Sequence, residues 1–456
     1  TLKGDNTLTS DGQHAGLEHN EKDYYGREDT GKLTITSGNE NGRNTGSLTA
    51  TGSGASAGIG SVWNTGKVSN SGAGTIEITG GDITAIGASD GAGIGSGTWA
   101  TGETNITISG TAKINARTDQ GGAGIGSGSD ATGNTNITIS GGTIENAQGG
   151  SGGAGIGSGD GSTGQTTVTI KSGTIKNATG GNTGDGIGGG SNSNNTTVTI
   201  EGGHIIKAQG GKGYGRYYDA GDGIHSDKTL TISGNATIDN AIGGGCDSDS
   251  SNRNAGHGIY SKGDLNISDN ATITNATGGA STDGYAGDGI HSDGKLTISG
   301  GTIGTAQGGV GNASGGSGIL GKTMEILAGT IQKAIGGNAS NGTGGSGIRS
   351  NGNGTLTIKG GKIEQATGGD SEKYGGSGIY SSSKLTISDS ATIGNAQGGK
   401  GKGKSGGSGI YSYGDLTITG GKIQKATGGA STDGNGGSGI FSGSNLTISG
   451  GTIETA

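Results

Sequence analysis

Residues 124–147 decide the fold: Gly124-Ile125, then Asn136-Ile137-Thr138-Ile139-Ser140, then Gly142-Thr143-Ile144-Glu145-Asn146-Ala147. The middle run alternates two apolar residues with Thr or Ser, the period of two expected of a half-buried strand. The outer runs are equally short, and glycine supplies the bends between them.

The same tripartite unit recurs along nearly the whole chain. Its Gly-Ile element returns at Ile59, Ile94, Ile125, Ile156, Ile187, Ile224, Ile259, Ile290, Ile319, Ile348, Ile379, Ile410 and Ile440, a mean period of about 32 residues. Near the N-terminus Leu17, Ile35 and Leu48 stand where the three elements should be, which makes about fourteen rungs.

Each unit has too few apolar residues to form a core alone, so stacking unit on unit is the economical solution. The expected fold is all-β, a parallel β-helix (β-solenoid) with three short strands per rung. Right-handed coiling follows from the usual hand of parallel crossovers. One solenoid over 1–456 is expected, in three stretches. Residues 1–58 form irregular first rungs, 59–206 carry the long loop between strands 1 and 2, and 207–456 carry it between strand 3 and the next strand 1.

Composition agrees. Of 456 residues, 116 are Gly and none is Pro, with 26% hydrophobic, 3% aromatic and 14% charged. Those values exclude an ordinary globular enzyme domain, and without Pro or a Gly-X-Y period they exclude collagen. No apolar run is long enough to span a bilayer. A net charge of −8 lacks the basic footprint of a nucleic-acid binder, and the single cysteine, Cys246, has no internal disulfide partner.

In a solenoid a function should show as a column through successive turns. The inward columns are almost pure Ile, Leu, Val and Ala. The outward column of the second strand is a Thr ladder from Thr107 to Thr447, interrupted by Asn266 and Glu325; its flatness raises ice binding as an alternative function. The column after Gly-Ile changes from Gly60, Gly95, Gly126, Gly157 and Gly188 to His225, Tyr260, His291, Leu320, Arg349, Tyr380, Tyr411 and Phe441. Its His, Tyr and Phe members are the candidate ligand-binding residues, because aromatic rings at successive turns could pack sugar rings. Mutual stacking of the rings is the competing reading. Loop residues Tyr214, Arg216, Tyr217, Tyr218, Asp219, Asp283, Tyr285 and Tyr374 extend that recognition surface.

Asp222-Gly223-Ile224-His225-Ser226-Asp227 and Asp288-Gly289-Ile290-His291-Ser292-Asp293 are near-identical and mark Asp222, Asp227, Asp288 and Asp293 as metal candidates. Calcium asks for six to eight oxygens, more than these motifs supply, so no cofactor is expected, with calcium as the alternative. No cluster of acids with a positioned base stands out, and the chain reads as a non-enzyme.

Segments such as Gly258-Ile259-Tyr260-Ser261-Lys262-Gly263-Asp264-Leu265-Asn266-Ile267-Ser268 and Gly409-Ile410-Tyr411-Ser412-Tyr413-Gly414-Asp415-Leu416-Thr417-Ile418 resemble repeats of secreted bacterial β-helix surface proteins. These are the polymorphic outer-membrane and autotransporter adhesin passengers, and the Gly-Ala-Gly-Ile-Gly-Ser-Gly repeats of large cell-wall proteins. The Phe-x-x-Asn motif of the polymorphic family is missing, Phe441 being the only Phe; Ile175 to Ala178 occupies a comparable place. The resemblance implies an extracellular rod or adhesin-type repeat at the bacterial cell surface, which gives reach or assembles into a fibre. Its expected partners are a host surface or a polysaccharide, with end-to-end self-association or continuation of the rod in a longer chain. A second resemblance, to carbohydrate-binding β-helix proteins with calcium sites, carries no metal-binding residue onto this sequence.

Overall fold

The computed structural model describes residues 1–22, 31–41, 43–63, 72–213, 219–246 and 253–456. The chain is an all-β parallel β-solenoid of about 13 turns. Its contacts divide it into two compact units, Thr1–Lys212 with Gly221–Lys228, and Gly213–Ala220 with Thr229–Ala456.

In the first unit a turn consists of a two-residue strand such as Ile94–Gly95, a long loop, Thr104–Ile108 and Lys113–Arg117. Successive turns pair in parallel and in register. Ile94, Ile125, Ile156 and Ile187 stack on one another, as do Ile106, Ile137, Val168 and Val198, and Ala116, Ala147, Ala178 and Ala208. These side chains are essentially inaccessible to solvent, so each buried Ile contributes about 2 kcal/mol to a narrow continuous core. Leu17, Ile35 and Leu48 pair with Ile59, Ile78 and Ile83, which continues the columns into the N-terminal region. Gly4–Thr9 adds a strand on Gly46–Thr51. The short hairpin Asn39–Glu40 with Arg43–Asn44 is antiparallel.

The first strand explains why its outward column is glycine here. Gly60, Gly95, Gly126, Gly157 and Gly188 all have φ between +134° and +151°, a region closed to other residues. A Cβ on Gly126 would lie 1.7 Å from the carbonyl oxygen of Gly157.

In the second unit the first strand has three residues, as in Ile379–Ser381, and leads through a tight corner into Leu385–Ile387 and then Thr392–Gln397. Ser381 points inward and its hydroxyl donates to the carbonyl oxygen of Lys384 at 2.9 Å; Ser261 and Ser412 do the same to Asp264 and Asp415. The third residue of the strand is thus a corner clamp, which fits its invariant small size at these turns. The residue before it faces outward without a positive φ, which is what admits His, Tyr, Arg and Phe.

The long loops of this unit are themselves laddered. Ser281, Gly311, Ala339, Ser371, Gly401 and Ser431 bridge in parallel, as do Tyr285, Ser314, Thr343, Tyr374, Ser405 and Asn435. Glycine permits the approach: a Cβ on Gly337 would stand 1.7 Å from the Gly309 carbonyl oxygen. The final turn leaves Leu446 and Ile448 half exposed.

Candidate functional site

The outward column of the second unit is positioned by strand register. Tyr260 pairs with His291, His291 with Leu320, Leu320 with Arg349, Arg349 with Tyr380, Tyr380 with Tyr411 and Tyr411 with Phe441. The Tyr380 and Tyr411 rings stack at 5.2 Å and 6°, Tyr411 and Phe441 at 4.8 Å and 14°, and the Arg349 guanidinium lies 5.3 Å from the Tyr380 ring centre. The three aromatic candidates therefore come together by packing face on face. Their edges, with Leu320, Arg349 and the loop residue Tyr374, line an open hollow of about 790 Å³. Burial and the adjoining Tyr380 push the Tyr411 hydroxyl pKa upward.

Further along the same unit His257, Tyr260 and His291 pack with ring centres 4.4–5.2 Å apart. His291 lies between two carboxylates, with Nδ1 2.8 Å from Asp288 Oδ2 and Nε2 3.1 Å from Asp293 Oδ1. Tyr260 donates its hydroxyl to Asp293 Oδ2 at 2.6 Å. Burial pulls the imidazole pKa down, but Asp288 and Asp293 outweigh it and hold it at about 9. His291, with help from Tyr260, holds Asp293 at about 2 against burial.

In the first unit Asp222, His225 and Asp227 meet Asp185 of the preceding turn. His225 Nδ1 is 2.9 Å from Asp185 Oδ2 and 3.4 Å from Asp222 Oδ2, while Nε2 is 3.7 Å from Asp227 Oδ1. Here too burial opposes the charge, and Asp185 leads the carboxylates that raise the imidazole pKa to about 9.

Two contributors escape a reading confined to the Gly-Ile-x column, and a third lies within it. Asp185 and His257 stand two residues before the strand Ile, in a column that runs Asp185, Asp222, His257, Asp288. Reading that column against its neighbour would have found both. Arg349 stands in the outward column itself, but it is neither aromatic nor a metal ligand, so an aromatic reading of the column leaves it out.

The Thr ladder is in register within each unit, Thr107, Thr138, Thr169 and Thr199 in the first and Thr357, Thr386, Thr417 and Thr447 in the second. Glu325 enters the second array and pairs with Lys295 at 2.8 Å. Of the loop candidates, Asp219 accepts from the Asn254 backbone N–H at 3.0 Å, and Tyr285 is 57% exposed. Tyr214, Arg216, Tyr217 and Tyr218 lie outside the described residues. Among the described residues no helix is long and apolar enough to cross a membrane.

Residues 76–98, 106–129, 137–160 and 168–191, all in the first unit, match a family model described as a beta helix repeat. No curated protein and no solved structure matches the chain. The repeat match and the laddered fold together make the chain a parallel β-helix repeat protein.

Proposed function

We propose that the chain is a non-enzymatic repeat region of a bacterial cell surface, a β-solenoid that holds and spaces an exposed recognition edge. The observation that carries this reading is the in-register loop ladder of the second unit, which turns the long excursions into an ordered ribbon beside the Arg349–Tyr380–Tyr411–Phe441 column. An ordered edge on a repeating scaffold suits contact with an extended partner, because the same approach repeats every ~4.8 Å.

The titratable groups support it as well. The imidazoles of His225 and His291 are held by carboxylates at about 9, away from the near-neutral value that suits a general base. Surface location rests on the resemblance of the Gly-Ile-Tyr-Ser repeats to secreted β-helix proteins. The test is in-frame removal of whole turns from the full chain on cells, read as attachment and surface extension. Both should fall with each turn removed; unchanged attachment and unchanged surface architecture would refute the reading.

The open hollow favours a second reading, a polysaccharide-binding module. Ring faces inside the stack are covered by their neighbours, so a sugar chain would lie along the ring edges with Arg349 and Tyr374 beside its hydroxyls. A glycan array should then show binding that Tyr380→Ala, Tyr411→Ala or Phe441→Ala weakens; an array without hits removes it.

A further inference from the structure

Arg349 is a half-buried cation with no acid beside it. Its guanidinium lies 5.3 Å from the Tyr380 ring centre, its Nε–H is buried without a hydrogen-bond partner, and it forms no ion pair among the described residues. The two histidines of the same column are answered from within the chain: Asp222 stands three residues before His225, and Asp288 three before His291. Three residues before Arg349 stands Ser346. A partly desolvated charge without a counter-ion is costly, so the outstanding partner of Arg349 is an anion from outside the chain.

Ser346 belongs to a row. Ser346, Ser377, Ser408 and Ser438 hold the same place in successive turns, two residues before the strand Ile. The first three are 6–8% exposed, and no hydroxyl of the row makes a hydrogen bond among the described residues. Along the chain each serine falls between the loop ladder, with Thr343, Tyr374 and Ser405, and the outward column, with Arg349, Tyr380 and Tyr411. All three rows line the open hollow of about 790 Å³.

The hollow is thus a groove that follows the stacking of the turns. From Leu320 to Phe441 it spans five turns, roughly 19 Å at ~4.8 Å per step. Among the described residues that line it there is no Asp, Glu or Lys, and the one charge is that of Arg349. Hydroxyls and ring edges suit a sugar polymer, and a guanidinium takes a carboxylate or sulfate through parallel N–H···O bonds.

We propose that this groove binds a linear polysaccharide bearing carboxylate or sulfate groups, with Arg349 on one such anion and the hydroxyls of Ser346, Ser377 and Ser408 on the sugar hydroxyls. The proposal rests on the polysaccharide reading above and narrows it to an acidic glycan. A net charge of −8 repels polyanions from the chain as a whole, so their binding depends on this local cation.

The experiment takes the full chain and an array of gluco-, manno- and galacto-oligosaccharides, each in neutral, uronate and sulfated form, with calorimetry on the hits. Acidic members should bind roughly tenfold or more tightly than their neutral counterparts, and the tighter of uronate and sulfate identifies the anion. Arg349→Gln should erase that preference and leave neutral binding unchanged, while Arg349→Lys, which keeps the charge without the planar fork, should retain part of it. Circular dichroism checks that each variant is folded. Added salt covers the case of a variant that is not: on the unmutated chain it should weaken the acidic members and spare the neutral ones. An array without hits removes the polysaccharide reading and the proposal with it. Hits that bind acidic and neutral members alike, or an acidic preference that Arg349→Gln or salt leaves unchanged, keep that reading and overturn the proposal.

Discussion

Replacing Gly126 by Ala tests what holds consecutive turns of the first unit together. The new methyl would begin 1.7 Å from the carbonyl oxygen of Gly157, at a residue whose φ is +144°. Neither problem can be solved by rotating a side chain, because the obstacle is the backbone of the next turn. Holding a non-glycine residue in that region costs about 1–3 kcal/mol. Backing the strand away weakens the bonds Ser127 N–H to Gly157 O at 3.2 Å and Ser96 N–H to Gly126 O at 3.1 Å, about 1 kcal/mol each. The expected total is about 3–5 kcal/mol. Tyr380→Ala is the matched control in the second unit: the same column, no positive φ, and only stacking and cation–π contact to lose, about 1–2 kcal/mol. Repeat arrays need not unfold in one step, so the assay is site-resolved amide exchange around Ile125–Ser127 alongside thermal melting. Exchange and melting indistinguishable from the unmutated chain, or a cost no larger than that of Tyr380→Ala, would refute the reasoning.

Other outcomes follow from the same geometry. His291, raised from 6.5 to about 9 among Asp288, Asp293, His257 and Tyr260, stabilises the second unit fully below pH 6.5 and loses that contribution as pH rises through 9; Asp293, lowered from 3.8 to about 2, stabilises it above pH 3.8 and ceases to as pH falls through 2. At most about 3 kcal/mol attaches to His291, less to the half-exposed Asp293, and an alkaline limb of stability that His291→Gln leaves unchanged would remove the account. Ile137→Ala should cost about 2–5 kcal/mol by opening the core between Ile106 and Val168, and a chemical melt within error of the unmutated chain would contradict it. Ser381→Ala leaves the Lys384 carbonyl with the Leu356 N–H as its donor and removes the corner bond, which should cost about 1 kcal/mol, visible as faster exchange at that corner. The Lys295–Glu325 pair interrupts the Thr array of the second unit, so thermal hysteresis is expected to be absent; ice shaping at high protein concentration would reverse that expectation.

The core was legible in the sequence because every turn repeats the same inward residues. Ile137 over Ile106 needs only the period of two and the period of about 32, and even Leu17, Ile35 and Leu48 fall into line. The sites were half legible. His225 and Asp222 share one motif, but Asp185 lies a full turn away and joins them only because register places it there. His257 reaches Asp288 in the same manner. Arg349 over Tyr380 depends on a side chain leaning along the column, which strand alternation alone does not specify. The corner role of Ser381 was hidden because a buried serine looks like a small polar residue until its acceptor is known.

The positive φ of the glycine column has a bearing on how such a protein can change. At Gly126 a single substitution to Tyr would not extend the aromatic column, since the backbone there has no conformation in which a large side chain could be carried. The turn must first adopt the three-residue strand seen at Ile379–Ser381. Side-chain chemistry in this column is therefore available only to turns that have already converted their backbone, and a new site would be gained by duplicating a converted turn more readily than by point mutation of an unconverted one.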